Sequence, residues 1–116
     1  MSTKMYIVVR TQFEGTHFWK DAPLEVDFLR APHRHIFHVK VKLPVSHADR
    51  ELEFFLVRRF LDGTIAKLYP SFELKGKSCE MICEEILKAI QDKFGFKKDV
   101  SVSVSEDNEN GSVVET

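Results

Sequence analysis

The sequence predicts an α+β fold: an antiparallel four-stranded sheet with two helices on one face, in the order ββααββ. Three observations carry this. Two long segments of alternating polarity open the chain, two stretches with helical apolar stripes fill its middle, and a strictly alternating Val–Ser segment followed by a turn closes it. With 116 residues the chain has the size of one domain, and residues 1–116 are read as one.

The first strand is "MYIVVRTQFEGTHFW". Tyr6, Val8, Arg10 and Gln12 share one face; Ile7, Val9, Thr11 and Phe13 share the other, more apolar one, as in a sheet covered on one side. Gly15 marks a bulge or bend before "THFW". A loop bounded by Pro23 and Pro32 follows. The second strand runs from His33 to about Val45, with His33, His35, Phe37, Val39, Val41 and Leu43 on one face and Ile36, His38, Lys40 and Lys42 on the other. The first helix is "SHADRELEFFLVRRFLDGTIAKLY", capped by Ser46 or Asp49, with a stripe of Leu52, Phe55, Leu56, Phe60 and Ile65 and a weak point at Gly63. After the loop "PSFELKGK", Ser78 caps a second helix whose stripe is Ile82, Ile86, Ala89, Ile90 and Phe94, stopped by Gly95. "DVSVSVSE" is a strand, "DNENGS" a turn built on its Asn–Gly pair, and "SVVE" the last short strand.

Composition narrows the function. A formal net charge of −1 leaves no basic footprint for nucleic acid, and the basic clusters "RAPHRH" and "KFGFKK" lack interleaved stacking platforms. No apolar run is long enough to span a bilayer, and "MSTKMYIVV" has no secretory pattern. Cys79 and Cys83 stand four apart on one helical face, poorly placed to bond each other. Reduced thiols and a cytoplasmic location are therefore expected.

The chemistry concentrates in "APHRHIFHVKVKLPV". His33 and His35 leave the same strand face about 7 Å apart at Cα, so both imidazoles can address one ion. In an antiparallel pair across the 19–32 loop, His17 at the end of the first strand comes beside them. Three histidines and an open position make the donor set of a catalytic zinc site; the competing reading is polar strand residues without a metal. His38 has the opposite parity. His47 and Arg34 have no assigned role.

The ordered set "FEGTHF", "HRHIFHVKV", "EFFLVRRFL", "SCE" and "VSEDNEN" resembles the 6-pyruvoyltetrahydropterin synthase and 6-carboxytetrahydropterin synthase family over most of the chain. The resemblance implies the tunnelling fold (T-fold), with subunits joined edge to edge into a homo-oligomer, a trimer or hexamer, and sites at subunit interfaces. It implies Zn2+ on His17, His33 and His35. Glu53–Phe54 matches the family's acid–Phe pair. Ser78, Cys79 and Glu80 match its T-x-E motif, and Glu106 its strand-ending glutamate, the anchor for a pterin or purine-like ring. A carboxylate is acceptor-only and can take two ring N–H groups.

The sequence also departs from that pattern. Leu29 stands where the family has its catalytic cysteine, and the Asp–His pair between the helices is missing, with Asp62 a lone acid nearby. Glu25 and Asp27, in the loop before the histidines, are the candidate substitutes for a base. Cys79, at a helix start, is expected to have a lowered thiol pKa. The expected function is a zinc protein acting on or binding a pterin-like heterocycle with an altered catalytic apparatus. The alternative is a T-fold binding or assembly protein without synthase activity.

Overall fold

A computed structural model describes residues 3–116; Met1 and Ser2, the start of "MSTKMYIVV", lie outside the described residues. The elements are β1 (Met5–His17), a 3-10 segment (Leu24–Arg30), β2 (His33–Val45), α1 (Phe54–Leu68), a 3-10 turn (Pro70–Phe72), β3 (Glu73–Lys75), α2 (Cys79–Phe94), β4 (Ser101–Glu106) and β5 (Asn110–Glu115). The α+β class holds. The sheet has five strands rather than four, in the order β3-β1-β2-β4-β5. The extra strand is the three-residue β3, which pairs in parallel with the end of β1 (Thr16 with Glu73, His17 with Lys75). A three-residue strand is too short for its alternation to register in a sequence; its one inward residue, Leu74, is fully buried.

The alternation read from the sequence sets the faces. Val9, Thr11 and Phe13 of β1, Phe37, Val39, Val41 and Leu43 of β2, and Val102 and Val104 of β4 are buried on one side of the sheet. There they meet Val57, Leu61 and Ile65 of α1 and Ile82, Cys83, Ile86 and Ile90 of α2 in one core. Each fully buried aliphatic side chain contributes about 1.5–3 kcal/mol relative to exposure. β1 and β2 pair without a break from Met5–Val45 to His17–His33. Gly15 therefore makes no bulge against β2. A Cβ there would stand 3.0 Å from Phe13, 3.1 Å from Leu74 and 3.2 Å from Phe37, so the glycine lets these side chains close over the strand.

α1 begins later than expected. Arg50 takes a left-handed φ of 53°, and Glu51 turns back to accept from Ser46 N at 2.8 Å, so residues 46–51 form a turn instead of a helical first turn. Glu53 is the actual N-cap, its carboxylate accepting from Phe55 N (3.0 Å) and Leu56 N (3.1 Å). The buried stripe of the helix is Val57, Leu61 and Ile65. Phe55 and Leu56, placed in the stripe by the sequence, are 72% and 62% exposed. The helix runs through Gly63 to Leu68. α2 is as expected: Ser78 Oγ accepts from Met81 N at 3.2 Å, and Gly95 ends the helix with a φ of 76°.

The β4–β5 turn also differs. Asn110 and Gly111 lie in β5, and Asp107 and Asn108, with φ of 55° and 59°, make the reversal, closed by Glu109 N donating to Glu106 O at 2.9 Å. Asp and Asn tolerate the left-handed region better than other side-chain-bearing residues. Gly111 is required for a different reason: a Cβ there would lie 2.4 Å from the Val104 carbonyl oxygen.

Candidate metal centre and adjoining cavity

The register of β1 and β2 builds the centre. His17 pairs directly with His33, and Gly15 with His35, so all three imidazoles rise from the helix-side face at one end of the sheet. One ring nitrogen from each lies within 4.8 Å of the others. The rings meet edge to face, with centroids 4.5 Å apart for His17–His33, 5.3 Å for His17–His35 and 5.1 Å for His33–His35.

Each ring is held by its other nitrogen. His17 Nδ1 donates to the Lys77 carbonyl at 2.9 Å, His33 Nδ1 to the Ala31 carbonyl at 2.9 Å, and His35 Nδ1 to Asp107 Oδ2 at 2.7 Å. Carbonyls and carboxylates only accept, so these contacts place a proton on each Nδ1, and in the neutral imidazole they leave Nε2 with its lone pair. Metal-ligating histidines are commonly oriented in this way. His17 is buried, and burial is the main influence holding its imidazole below the ordinary 6.5, opposed by the Lys77 hydrogen bond and the charge of Glu106.

Two of these anchors come from segments that the sequence left as plain turn and loop. Lys77 follows β3, and its side chain donates to Glu85 Oε2 at 2.7 Å while Tyr69 Oη donates to Glu85 Oε1 at 2.7 Å. This buried-edge network fixes the segment whose carbonyl orients His17. Asp107, in the turn, also accepts from Ile36 N at 2.9 Å. That backbone hydrogen bond and the one from His35 hold its carboxyl below the usual range. Its only signal in the sequence was its place directly after Glu106, at the head of the "DNENGS" turn.

The fit to zinc can be tested on the protein's own atoms. His17 Nε2 is buried and has no hydrogen-bond partner among the described residues, although Glu106 Oε2 lies 3.1 Å away. A buried orphan nitrogen is costly unless something binds it. Three convergent imidazoles are a donor set that suits Zn2+. The residues present therefore fit the ion.

A cavity of about 410 Å³ opens beside the histidines, within the usual range for small-molecule sites. It brings together His17, His33, Ser78, Cys79, Glu80 and Glu106 of the residues singled out from the sequence. Glu80 accepts from Ser112 Oγ at 2.7 Å, which holds its carboxyl below the ordinary value. Cys79 does not have the lowered pKa expected of a helix start. Burial pushes its thiol up to about 12, with the nearby Glu106 charge adding to the effect. Leu29, Phe18, Trp19 and Met81 supply apolar wall. Glu25 and Asp27 are exposed on the 3-10 segment, and neither lines the cavity. His38 lies on the opposite sheet face, paired with Gln12 and Ser105. His47 and Arg34 are outside the centre, Arg34 paired with Glu14 at 2.7 Å. Among the described residues, no helix is long and apolar enough to cross a membrane.

No protein-family model matches the sequence, and no curated protein matches it. Solved structures do match. Plasmodium falciparum 6-pyruvoyl tetrahydropterin synthase aligns at 16% identity and TM-score 0.72, covering 99% of this chain and 99% of that one. Caenorhabditis elegans 6-pyruvoyl tetrahydropterin synthase aligns at 12% identity and TM-score 0.67, covering 98% and 96%. An uncharacterized protein from Wolinella succinogenes aligns at 15% identity and TM-score 0.70, covering 99% of each chain. At these identities the likeness establishes the fold: the chain adopts the tunnelling fold of the pterin synthases, as the sequence motifs implied.

Proposed function

We propose that this chain is a zinc protein of the 6-pyruvoyltetrahydropterin synthase type that acts on or binds a pterin or related purine-like heterocycle, with an altered catalytic apparatus. The observation that carries this reading is the common arrangement of His17, His33 and His35: each Nδ1 is satisfied by a fixed acceptor and each Nε2 is left to one shared point. His17, His33 and His35 would hold Zn2+, which as a Lewis acid polarises a hydroxyl or carbonyl oxygen of the ligand. Glu106 offers acceptor oxygens to ring N–H groups. Ser78, Cys79 and Glu80, at the start of α2, form the facing wall, with Glu80 oriented by Ser112.

What the site lacks shapes the chemistry. Proton transfer needs a titratable group near the ligand with a reachable pKa. Leu29 has none, Cys79 is a buried high-pKa thiol, Glu25 and Asp27 are exposed and do not line the cavity, and the two carboxylates that do, Glu80 and Glu106, are engaged by Ser112 and by the histidines. These observations favour the second reading, a T-fold protein that keeps zinc and ligand binding without synthase turnover. Assembly belongs to the same proposal. β5 and most of β1 are open sheet edges, and edge pairing between copies into a trimer or hexamer with sites at subunit interfaces would cover them. The free thiols Cys79 and Cys83 suit a reducing compartment such as the cytoplasm.

The test is zinc content of the purified protein, then incubation with dihydroneopterin triphosphate. Absence of zinc ends both readings. Zinc with turnover supports a synthase-type enzyme. Zinc with saturable pterin binding but no turnover supports the binding protein.

A further inference from the structure

We infer that Glu106 is a fourth ligand to the metal, closing the three-histidine site when no heterocycle is bound. This rests on the zinc reading above and assigns Glu106 a role beyond anchoring a ring. Glu106 is the last residue of β4 and pairs with Phe37 of β2, which places its side chain on the same sheet face as His35, two residues along. One carboxylate oxygen, Oε2, lies 3.1 Å from His17 Nε2 and 3.7 Å from His35 Nε2. Ligand atoms about 2.0–2.1 Å from a tetrahedral zinc lie about 3.3–3.4 Å from one another. The two measured separations bracket that edge. Glu106 Oε2 thus stands where a further corner of the coordination shell would be, shared between two rings.

The contact is poorly explained without an ion. His17 Nδ1 is the protonated nitrogen, because it faces the Lys77 carbonyl, and Nε2 makes no hydrogen bond to the carboxylate despite its proximity. His35 Nδ1 likewise faces Asp107, leaving Nε2 toward Glu106. With both rings neutral, an acceptor oxygen directed at two ring nitrogens that hold lone pairs is repulsive; a metal cation among them relieves this at both rings at once, whereas a proton on one Nε2 relieves it at that ring alone. Among the described residues, no Lys or Arg ion pair engages Glu106; its only charged-group contacts are these two rings. By contrast Glu80, on the opposite wall, is occupied by Ser112.

A consequence is that the site is self-capped. A heterocycle whose N–H groups draw the Glu106 carboxylate away from the metal would free a coordination position at the moment it binds, so metal access and ring recognition would be exclusive uses of one side chain.

The experiment is a competitive chelator titration of Zn2+ with wild type, Glu106→Gln and Glu106→Asp, with the visible absorption of the Co2+-substituted forms recorded alongside. The expected result is a loss of Zn2+ affinity of at least about tenfold in Glu106→Gln, the lower end seen even for outer partners of a metal site, and a weakened, shifted Co2+ spectrum as water replaces the carboxylate. Equal affinities and unchanged spectra in both variants would overturn the assignment. A wild type that binds no zinc fails earlier and overturns the metal reading itself, so the two failures are distinguishable. A zinc-loaded crystal structure of the wild type provides a measurement independent of any variant. A Glu106 oxygen about 2.0–2.2 Å from the ion supports the assignment, and a water interposed between them overturns it.

Discussion

The two walls of the cavity contrast sharply in how they are held. On the histidine wall, every ring is fixed by a hydrogen bond to a carbonyl or carboxylate, and the anchors are themselves bound: Asp107 to Ile36 N, and the Lys77 segment through Glu85 and Tyr69. On the wall formed by the 3-10 segment and its flanks, Leu29 and Trp19 line the cavity, and the acids of that segment stay exposed. The histidine wall is held by these hydrogen bonds; the 3-10 side is apolar where it lines the cavity and presents no carboxylate there. The contrast teaches that the parts of such a site are separable. The approach of the three histidines is built into the sheet register, whereas proton transfer depends on individual side chains in a connecting segment, where a Leu breaks no element of the fold.

Changes on the histidine wall should therefore have the largest effect. His17→Ala is expected to lower Zn2+ affinity by at least about 100-fold, above what loss of an outer partner alone produces. Chelator competition reads it, and near-wild-type affinity would show that the metal sits elsewhere. Asp107→Asn comes next: its side-chain amide is a weaker partner for His35 Nδ1, and a loss of about 10–100-fold is expected. The same titration, with the circular dichroism unchanged, separates this from misfolding.

Tyr69→Phe tests the network one step further out. It removes the Tyr69 hydrogen bond to Glu85 and should cost about 1 kcal/mol in denaturant unfolding, with a smaller effect on Zn2+ affinity than Asp107→Asn. A larger effect would make Tyr69 and Glu85 stronger determinants of His17 orientation than Asp107 is of His35.

His17 also gives the metal-free protein a pH dependence. Its imidazole is held below 6.5 in the folded state, so the unfolded chain takes up that proton first as pH falls. The stability it contributes is complete above 6.5 and is lost as pH falls through the folded-state value. Unfolding followed from pH 7.5 downward should show a decline in wild type that is shallower in His17→Gln; identical slopes would remove His17 as the cause. The smallest effect is expected on the other wall. Leu29→Cys should leave Zn2+ affinity unchanged, and a substantial change would show that the two walls are coupled.

The sequence by itself determined the class of the fold and the sheet face that carries His33 and His35. Period-two alternation puts one whole set of side chains on one sheet face, so the same parity that buries Phe37, Val39 and Val41 carries His33 and His35 to the core side and His38 to the opposite face. Local chemistry was legible too, as at the Ser78 cap and Gly95 stop of α2. Tertiary structure alone decided the start of α1, where Glu51 turning back to Ser46 and a left-handed Arg50 outweigh helical propensity up to Glu53. It also created β3, too short to show a period, and moved the hairpin reversal onto Asp107 and Asn108. Through these it chose the partners of the histidines. Lys77 is 60 residues from His17, and Asp107 is 72 from His35. Such contacts follow from where the packed core carries the connecting segments, which no local pattern in the chain encodes.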